Sequence, residues 1–277
     1  MIEIGKHNAL TIARGTSVGL YLTDGTTDVL LPNKYVPAEW NEGDEMTVFV
    51  YLDQEERPVA TTLEPLVKLN GFALLRVSFI NKFGAFVGIG LEKDLFVPFR
   101  EQARPMEVGK RYLVHMYLDE KSNRLAGSSK LSQFLDNENL TVTEGEEVDI
   151  IVSHFTDLGI NVIINNKHRG LLYKNDVYDD IRLGEKLVGY IKTIRPDNKI
   201  DVSLQKPGIE SIEPNAEKIL DELRASRGFL RLHDDSHPED IKTVLKMSKK
   251  AFKKAIGSLY KQRLIDIKED GIYLVQS

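Results

Sequence analysis

The sequence predicts a mainly β chain that ends in a small α+β domain: three tandem five-stranded barrels, then a winged helix. Three observations lead there. One set of four landmarks occurs three times before residue 208. Within each copy, short β-rich runs are separated by Gly, Asn and Asp turns, with no long helical period. Beyond residue 207 the spacing becomes helical and capping signals appear.

The first landmark is a glycine that opens a strand: Val18-Gly19-Leu20, Phe83-Gly84-Ala85 and Leu158-Gly159-Ile160. An apolar strand follows, at Val29-Leu30-Leu31-Pro32, Leu95-Phe96-Val97-Pro98 and Gly170-Leu171-Leu172-Tyr173. A second glycine, Gly43, Gly109 or Gly184, precedes the next strand. A charged hairpin then leads to a last strand containing Thr61, Ser128 or Ser203. Agreement of four landmarks in three copies marks one repeated unit of domain size. Five short strands with one longer connection suit a closed Greek-key barrel of the OB type, and closure leaves no free sheet edge. The units are placed at residues 1–65, 66–135 and 136–207, with the C-terminal domain at 214–277.

In the first copy, strands are expected near residues 8–13 and 18–22, joined through a hairpin turn at Asp24-Gly25 to the next strand. Trp40, the single Trp, reads as a packing residue. In the second copy, Phe83 and Phe86 flank Gly84, which is expected to be open. Strand phenylalanines are most often core, but aromatics beside an open glycine are also how a small barrel offers stacking surfaces to bases. Lys82, Arg100, Arg111 and Arg124 are the cations placed to meet phosphate at its rim. In the third copy, the turn Asn166-Lys167-His168-Arg169-Gly170 offers Lys167 and Arg169 to phosphate, or else is a solvated hairpin tip.

Past the Pro207-Gly208 pair, residues 209–214 read as a linker. A helix is expected over 215–227, with Ile219, Leu220 and Leu223 on one stripe and Gly228 ending it. A short strand at 229–232 follows. Ser236-His237-Pro238-Glu239 reads as a capping box opening a second helix. Ser248 caps a third, over 249–263, with Phe252, Ile256 and Leu259 inward. A hairpin around Gly271 closes the domain. The third helix is the recognition-helix equivalent. Lys246, Lys249, Lys250, Lys253, Lys254, Lys261 and Arg263 lie in or beside it, and residues 246–263 contain no acid. Its first turns hold no Arg, Asn or Gln to read base edges, which argues against sequence-specific duplex readout.

Charge distribution ranks the units. Residues 1–65 carry 4 Lys/Arg against 11 Asp/Glu; residues 66–131 carry 11 against 6; residues 132–207 carry 9 against 13; residues 208–277 carry 13 against 12. Phosphate binding needs local positive charge, so the second copy is the best equipped. The acidic first copy is expected to serve structure or protein contact.

The Phe83-to-Val87 stretch, the Leu95-to-Pro98 strand, Val108-Gly109-Lys110 and the Ser128-Ser129-Lys130 ending together resemble the S1 domain, an OB-fold RNA-binding module. The second copy matches it best and the first diverges most. Three such units before a winged helix resemble the conserved virulence factor B family of bacterial RNA-binding regulators. The resemblance implies stacking at Phe83 and Phe86 and a basic contact at Arg124. The family has a His where this chain has Pro98, so neighbouring Phe99 is the expected substitute. Tyr173 holds that position in the third copy and can stack.

With 277 residues and 42% apolar content, the chain can bury several cores. No run is apolar enough to span a bilayer, the first residues do not read as a signal peptide, and a cytoplasmic location is expected. The absence of Cys excludes a disulfide framework and a thiolate site. His233-Asp234-Asp235-Ser236-His237 has metal-like spacing but reads as a loop into a helix cap, and no phosphate loop, nucleophile elbow or zinc-protease motif appears. No enzymatic activity, metal or cofactor is expected. The function expected is a regulator that binds single-stranded RNA, acting with no membrane partner. By resemblance it would bear on virulence genes and meet the ribosome or RNA-decay proteins. Two alternatives stay open: a DNA-binding transcription regulator using the winged helix, and a protein scaffold whose barrels do not bind nucleic acid.

Overall fold

The computed structural model describes residues 1–174, 180–206 and 214–275. The linker expected at 209–214 falls outside them except for Pro214, which opens a helix. Two compact units result, Met1–Leu204 and Gln205–Ser277.

The first unit holds three closed barrels. The first is built from β1 (Lys6–Thr16), β2 (Gly19–Thr23), β3 (Asp28–Pro32), β4 (Glu45–Leu52) and β5 (Pro58–Thr61). The second comprises β6 (Phe72–Ile80), β7 (Gly84–Val87), β8 (Leu95–Pro98), β9 (Arg111–Asp119) and β10 (Arg124–Ser128). The third comprises β11 (Glu147–Phe155), β12 (Gly159–Ile164), β13 (His168–Tyr173), β14 (Lys186–Ile194) and β15 (Ile200–Ser203). In each, the third and fifth strands pair in parallel and the other observed neighbours are antiparallel. That is the expected OB-type order.

The first-landmark glycines are not open. They are buried, and each lies opposite a fixed partner: Gly19 faces Pro32, Gly84 faces Pro98 and Gly159 faces Tyr173. A Cβ there would stand 2.0, 2.3 and 2.3 Å from the carbonyl oxygens of Leu31, Val97 and Leu172. The second and third strands approach too closely for any side chain. The second-landmark glycines do a different job. Gly43, Gly109 and Gly184 have φ of 92°, 82° and 76°, the left-handed region that glycine adopts at little cost. In that conformation each amide donates to the first strand of its barrel, at Ile12, Val77 or Val152, over 2.8 Å.

Those three acceptors precede a shared irregularity. The pairing of first with second strand slips by one residue between Ile12 and Arg14, between Val77 and Phe79, and between Val152 and His154. Ala13, Ser78 and Ser153 are thus bulge residues, each an extra position in the ladder.

Each barrel has its own apolar core, centred for example on Leu22, Leu31 and Val50; on Leu75, Val97 and Met116; and on Ile150, Ile164 and Leu172. Trp40 packs on the first of these, with its ring against Gly15, as a packing residue would. The barrels also share apolar seams. Phe49, Tyr51 and Val59 of the first pack with Leu91 and Leu125 of the second. Phe72 and Leu113 of the second pack with Ile151 and Ile163 of the third. In that second seam, the His115 ring lies 4.4 Å from the Phe72 centroid and 4.1 Å from that of Phe134.

The second unit consists of α1 (Pro214–Ala225), β16 (Phe229–Leu230), α2 (Pro238–Leu245), α3 (Lys249–Lys261), β17 (Ile265–Lys268) and β18 (Gly271–Leu274), with sheet order β16-β18-β17. Ile219, Leu220 and Leu223 meet Phe252, Ile256 and Leu259 in one core, as the stripes predicted. Gly228, at φ 87°, ends the first helix region, and Ser248 caps α3 by accepting from the Ala251 amide at 3.2 Å. Ser236 does not cap α2. Its hydroxyl accepts from the His233 amide at 2.8 Å, and His237 is the cap, its Nδ1 accepting from the Glu239 amide. The third helix also stops two residues early, because Arg263 turns to φ 57°.

Candidate nucleic-acid interface

The bulge at Ser78 decides what the second barrel shows to solvent. Leu75 and Val77 point inward and are buried. The extra residue resets the alternation, so Phe79 points out and is 48% exposed. Phe79 then lies opposite Phe86, and Phe86 opposite Phe96. The three rings form a row across β6, β7 and β8. Phe79 and Phe86 stack at 4.3 Å with planes 9° apart, and Phe86 and Phe96 meet at 5.0 Å and 39°. The spacing and tilt are those of favourable ring pairs.

Phe83 stands at the β6–β7 tip, 62% exposed. Asn81 shapes that tip, its Oδ1 accepting from the amides of Phe83 at 2.8 Å and Gly84 at 3.2 Å. Phe99, 51% exposed in the 3-10 turn Phe99–Glu101, donates its amide to the Phe83 carbonyl at 3.2 Å. Phe83, Phe86, Phe96, Phe99, Arg100 and Arg124 line one groove of about 710 Å³. Five residues expected from sequence therefore converge: Phe83, Phe86, Phe99, Arg100 and Arg124. Lys82 lies beside them, its Nζ 5.0 Å over the Phe83 ring, without lining the groove. Arg111 does not join. It starts β9 opposite Arg76, away from the groove lining.

Two aromatics of the row, Phe79 and Phe96, escaped sequence reasoning. Phe96 was read only as part of an apolar strand, and Phe79 requires knowledge of the bulge. The far wall also escaped it. Tyr51, Leu52, Gln54 and Glu56, all from the first barrel, close the groove on its other side.

The same row is composed differently in the other barrels. In the first it is Arg14, Tyr21 and Leu30, with the guanidinium 4.4 Å over the Tyr21 ring and paired to Asp28 at 2.7 Å. In the third it is His154, Asn161 and Leu171, with the Asn161 amide nitrogen 3.0 Å from His154 Nε2. Tyr173 is half-buried, and its hydroxyl accepts from Arg195, which is also paired with Asp201 at 2.9 Å. In the predicted basic turn, Lys167 and Arg169 are exposed, but His168 is buried and bonded to the Asp136 carbonyl and to Thr141. Asn137 holds the Arg169 backbone from both sides, at 2.7 and 2.9 Å.

In the C-terminal unit, Lys250, Lys253 and Lys254 are exposed on α3 and Lys249 is half-buried. The preceding loop tempers this basic face. Lys249 donates to the Asp235 carbonyl at 3.3 Å, and Lys253 lies 3.9 Å from the Asp235 carboxylate. The ligand atoms of His233, Asp234 and Asp235 come within 4.8 Å of one another, while His237, the other half of the spacing noted in the sequence, caps α2. No helix among the described residues is long and apolar enough to cross a membrane.

Three OB-type barrels, one bearing an aromatic row along a groove lined by both basic and acidic side chains, and a winged helix define a multidomain protein of nucleic-acid-binding type. Residues 4–63 match the S1 domain, and residues 217–274 match the CvfB-like winged helix domain. The chain is similar along most of its length to YitL of Bacillus subtilis, 29% identical over 93% of this chain and 89% of that protein. It is likewise similar to conserved virulence factor B of Staphylococcus saprophyticus, 26% identical over 84% and 81%. A solved multidomain protein with nucleic acid binding domains from Streptococcus pneumoniae is 24% identical over 98% of each chain, with a TM-score of 0.41. The S1 match falls on the first barrel, the copy whose surface residues depart most from the motif. The glycines and core strands that build the barrel are present there even though the surface row has changed.

Proposed function

We propose that the protein is a regulator that binds single-stranded RNA in the groove of its second barrel, without catalysing a reaction on it. The observation that carries this reading is the Phe79–Phe86–Phe96 row, with Phe83 and Phe99 exposed beside it and Arg100 and Arg124 at the rim. Each base stacked on an aromatic contributes about 1–3 kcal/mol, and stacking tolerates any base. Splayed bases are available in single strands and not in a duplex. The 11 Lys/Arg against 6 Asp/Glu in residues 66–131 supply the local positive charge that phosphates require. The third barrel, through Lys167 and Arg169, and the α3 lysines are secondary contacts. A regulatory role in the cytoplasm, bearing on transcripts of virulence genes and involving the ribosome or RNA-decay proteins, follows by analogy with the relatives' names and the domain types.

Fluorescence anisotropy with a labelled single-stranded RNA of about 20 nucleotides, compared with single-stranded and duplex DNA of equal length at two salt concentrations, tests it. Preferred RNA binding that weakens steeply with salt is the expected result. Preference for the duplex would move the function to the winged helix. Binding to none of the three would leave a protein scaffold.

A further inference from the structure

We infer that the first barrel takes part in RNA binding through a neighbour's groove rather than through its own face, and that its Glu56 competes with phosphate for Arg124. This rests on the RNA-binding reading of the second barrel. The first barrel's own surface row is occupied: Arg14 covers Tyr21 and is paired with Asp28. Its β4–β5 hairpin instead forms the far wall of the aromatic groove, through Tyr51, Leu52, Gln54 and Glu56.

That wall is anchored. Tyr51 and Val59, at the base of the hairpin, are buried against Leu91 and Leu125 of the second barrel. Lys93, half-buried in the second barrel, donates its Nζ to the Asp53 carbonyl at 2.6 Å. Glu56, at the hairpin tip, forms an ion pair with Arg124 across the groove. The acidic barrel thus lends a carboxylate to the place where the second barrel offers its rim guanidinium. A carboxylate and a phosphate make the same kind of charge-assisted hydrogen bonds to Arg. A phosphate that takes Arg124 must displace Glu56 and then sit beside its freed negative charge. Both side chains remain partly exposed, at 55% for Arg124 and 43% for Glu56, so the exchange needs no opening of the core. The chemistry to which this wall responds is a single-stranded polyanion carrying bases, since it closes a groove whose other side is aromatic.

The experiment is RNA binding by the full-length chain over a salt series, for wild type, Glu56→Gln, Glu55→Gln and Glu56→Gln combined with Arg124→Ala. Glu55 is the control for net charge. It pairs with Arg57 at 2.9 Å and does not line the groove. Glu56→Gln should bind about two- to fivefold more tightly at 0.1 M salt, the range that an exposed ion pair is worth. Its salt slope should steepen by about 0.7, one additional phosphate on a single strand. Glu55→Gln should match wild type, and adding Arg124→Ala should cancel the gain. Thermal midpoints of the four proteins establish that each is folded. Equal gains in the two Glu→Gln variants would reduce the effect to net charge and overturn the inference. Weaker binding by Glu56→Gln would do so as well, by making the pair a clamp rather than a competitor. Wild-type binding that depends on Phe83 and Phe86 but ignores Glu56 sinks this inference alone. No binding by wild type sinks the reading beneath it.

Discussion

Replacing Phe86 with Ala is the sharpest test of the aromatic row, because Phe86 is its middle ring. It stacks on Phe79 at 4.3 Å and packs on Phe96 at 5.0 Å. Two losses follow, and they separate. The first is structural: two ring pairs worth about 0.5–1.5 kcal/mol each. The barrel should survive this, since Phe86 points outward and its neighbours Ala85 and Val87 fill the core. The second is a lost stacking platform, about 1–3 kcal/mol per base, or roughly five- to 150-fold in Kd. Phe83→Ala supplies the contrast. Its ring is 62% exposed, so it should lose RNA affinity with almost no change in stability. The assay is anisotropy against a 20-nucleotide single strand, alongside urea denaturation of the same preparations. Neither variant should alter the slope of log K against log salt, because neither removes a cation. Unchanged affinity in Phe86→Ala combined with Phe83→Ala, in a protein that still unfolds cooperatively, would refute the stacking argument. A flattened salt slope would refute it too, by showing that the loss was of phosphate contacts.

Other outcomes follow from the same geometry. Arg100→Ala should flatten the RNA salt slope by about 0.7, and Arg124→Ala should flatten it by that amount only when Glu56 is also Gln, whereas Arg111→Ala, placed away from the groove, should leave it unchanged; the same titrations measure all three. Gly84→Ala would put a Cβ 2.3 Å from the Val97 carbonyl oxygen and 2.8 Å from the Phe96 ring. It should cost about 3 kcal/mol or more, read as a lower urea midpoint. Burial between Phe72 and Phe134 pushes the His115 imidazole down to about 4 from its usual 6.5, and its Nδ1 has no hydrogen-bond partner among the described residues. The unfolded chain therefore takes up this proton first as pH falls. Stability should be undiminished above pH 6.5 and decline between pH 6.5 and 4, by at most about 3 kcal/mol. Urea midpoints across that range should show the decline in wild type and less of it in His115→Leu.

What the sequence disclosed and what it hid have physical causes. Gly19, Gly84 and Gly159 were legible as a repeat because the strand approach they permit tolerates no other residue, although that same approach makes them covered and not open. Phe83, Phe99, Arg100 and Arg124 were legible because they sit at strand ends, where a motif's spacing fixes position. Phe79 and Phe96 were not, because a cross-strand row depends on register, and register here depends on a one-residue bulge. Arg111 was misplaced for a related reason: charge counts assign a cation to a barrel but not to one side of it. The Glu56 wall lay out of reach because it is a contact between two barrels, and a repeated motif describes each barrel alone. His237 displaced Ser236 as the α2 cap because Ser236 was already engaged by the His233 amide, a competition that the motif does not encode.

The slipped pairing at Ala13, Ser78 and Ser153 has a consequence of its own. A strand is a two-beat pattern, and one added residue inverts the beat for everything beyond it. The barrel can therefore keep its interior rhythm up to Val77 while the last stretch of the strand varies freely, as Arg14, Phe79 and His154 show. Deleting Ser78 would close up the ladder without turning Phe79, which would follow Val77 directly and stay outward opposite Phe86. One position thus separates the part of the strand that must be the same in all three copies from the part that lets each copy differ.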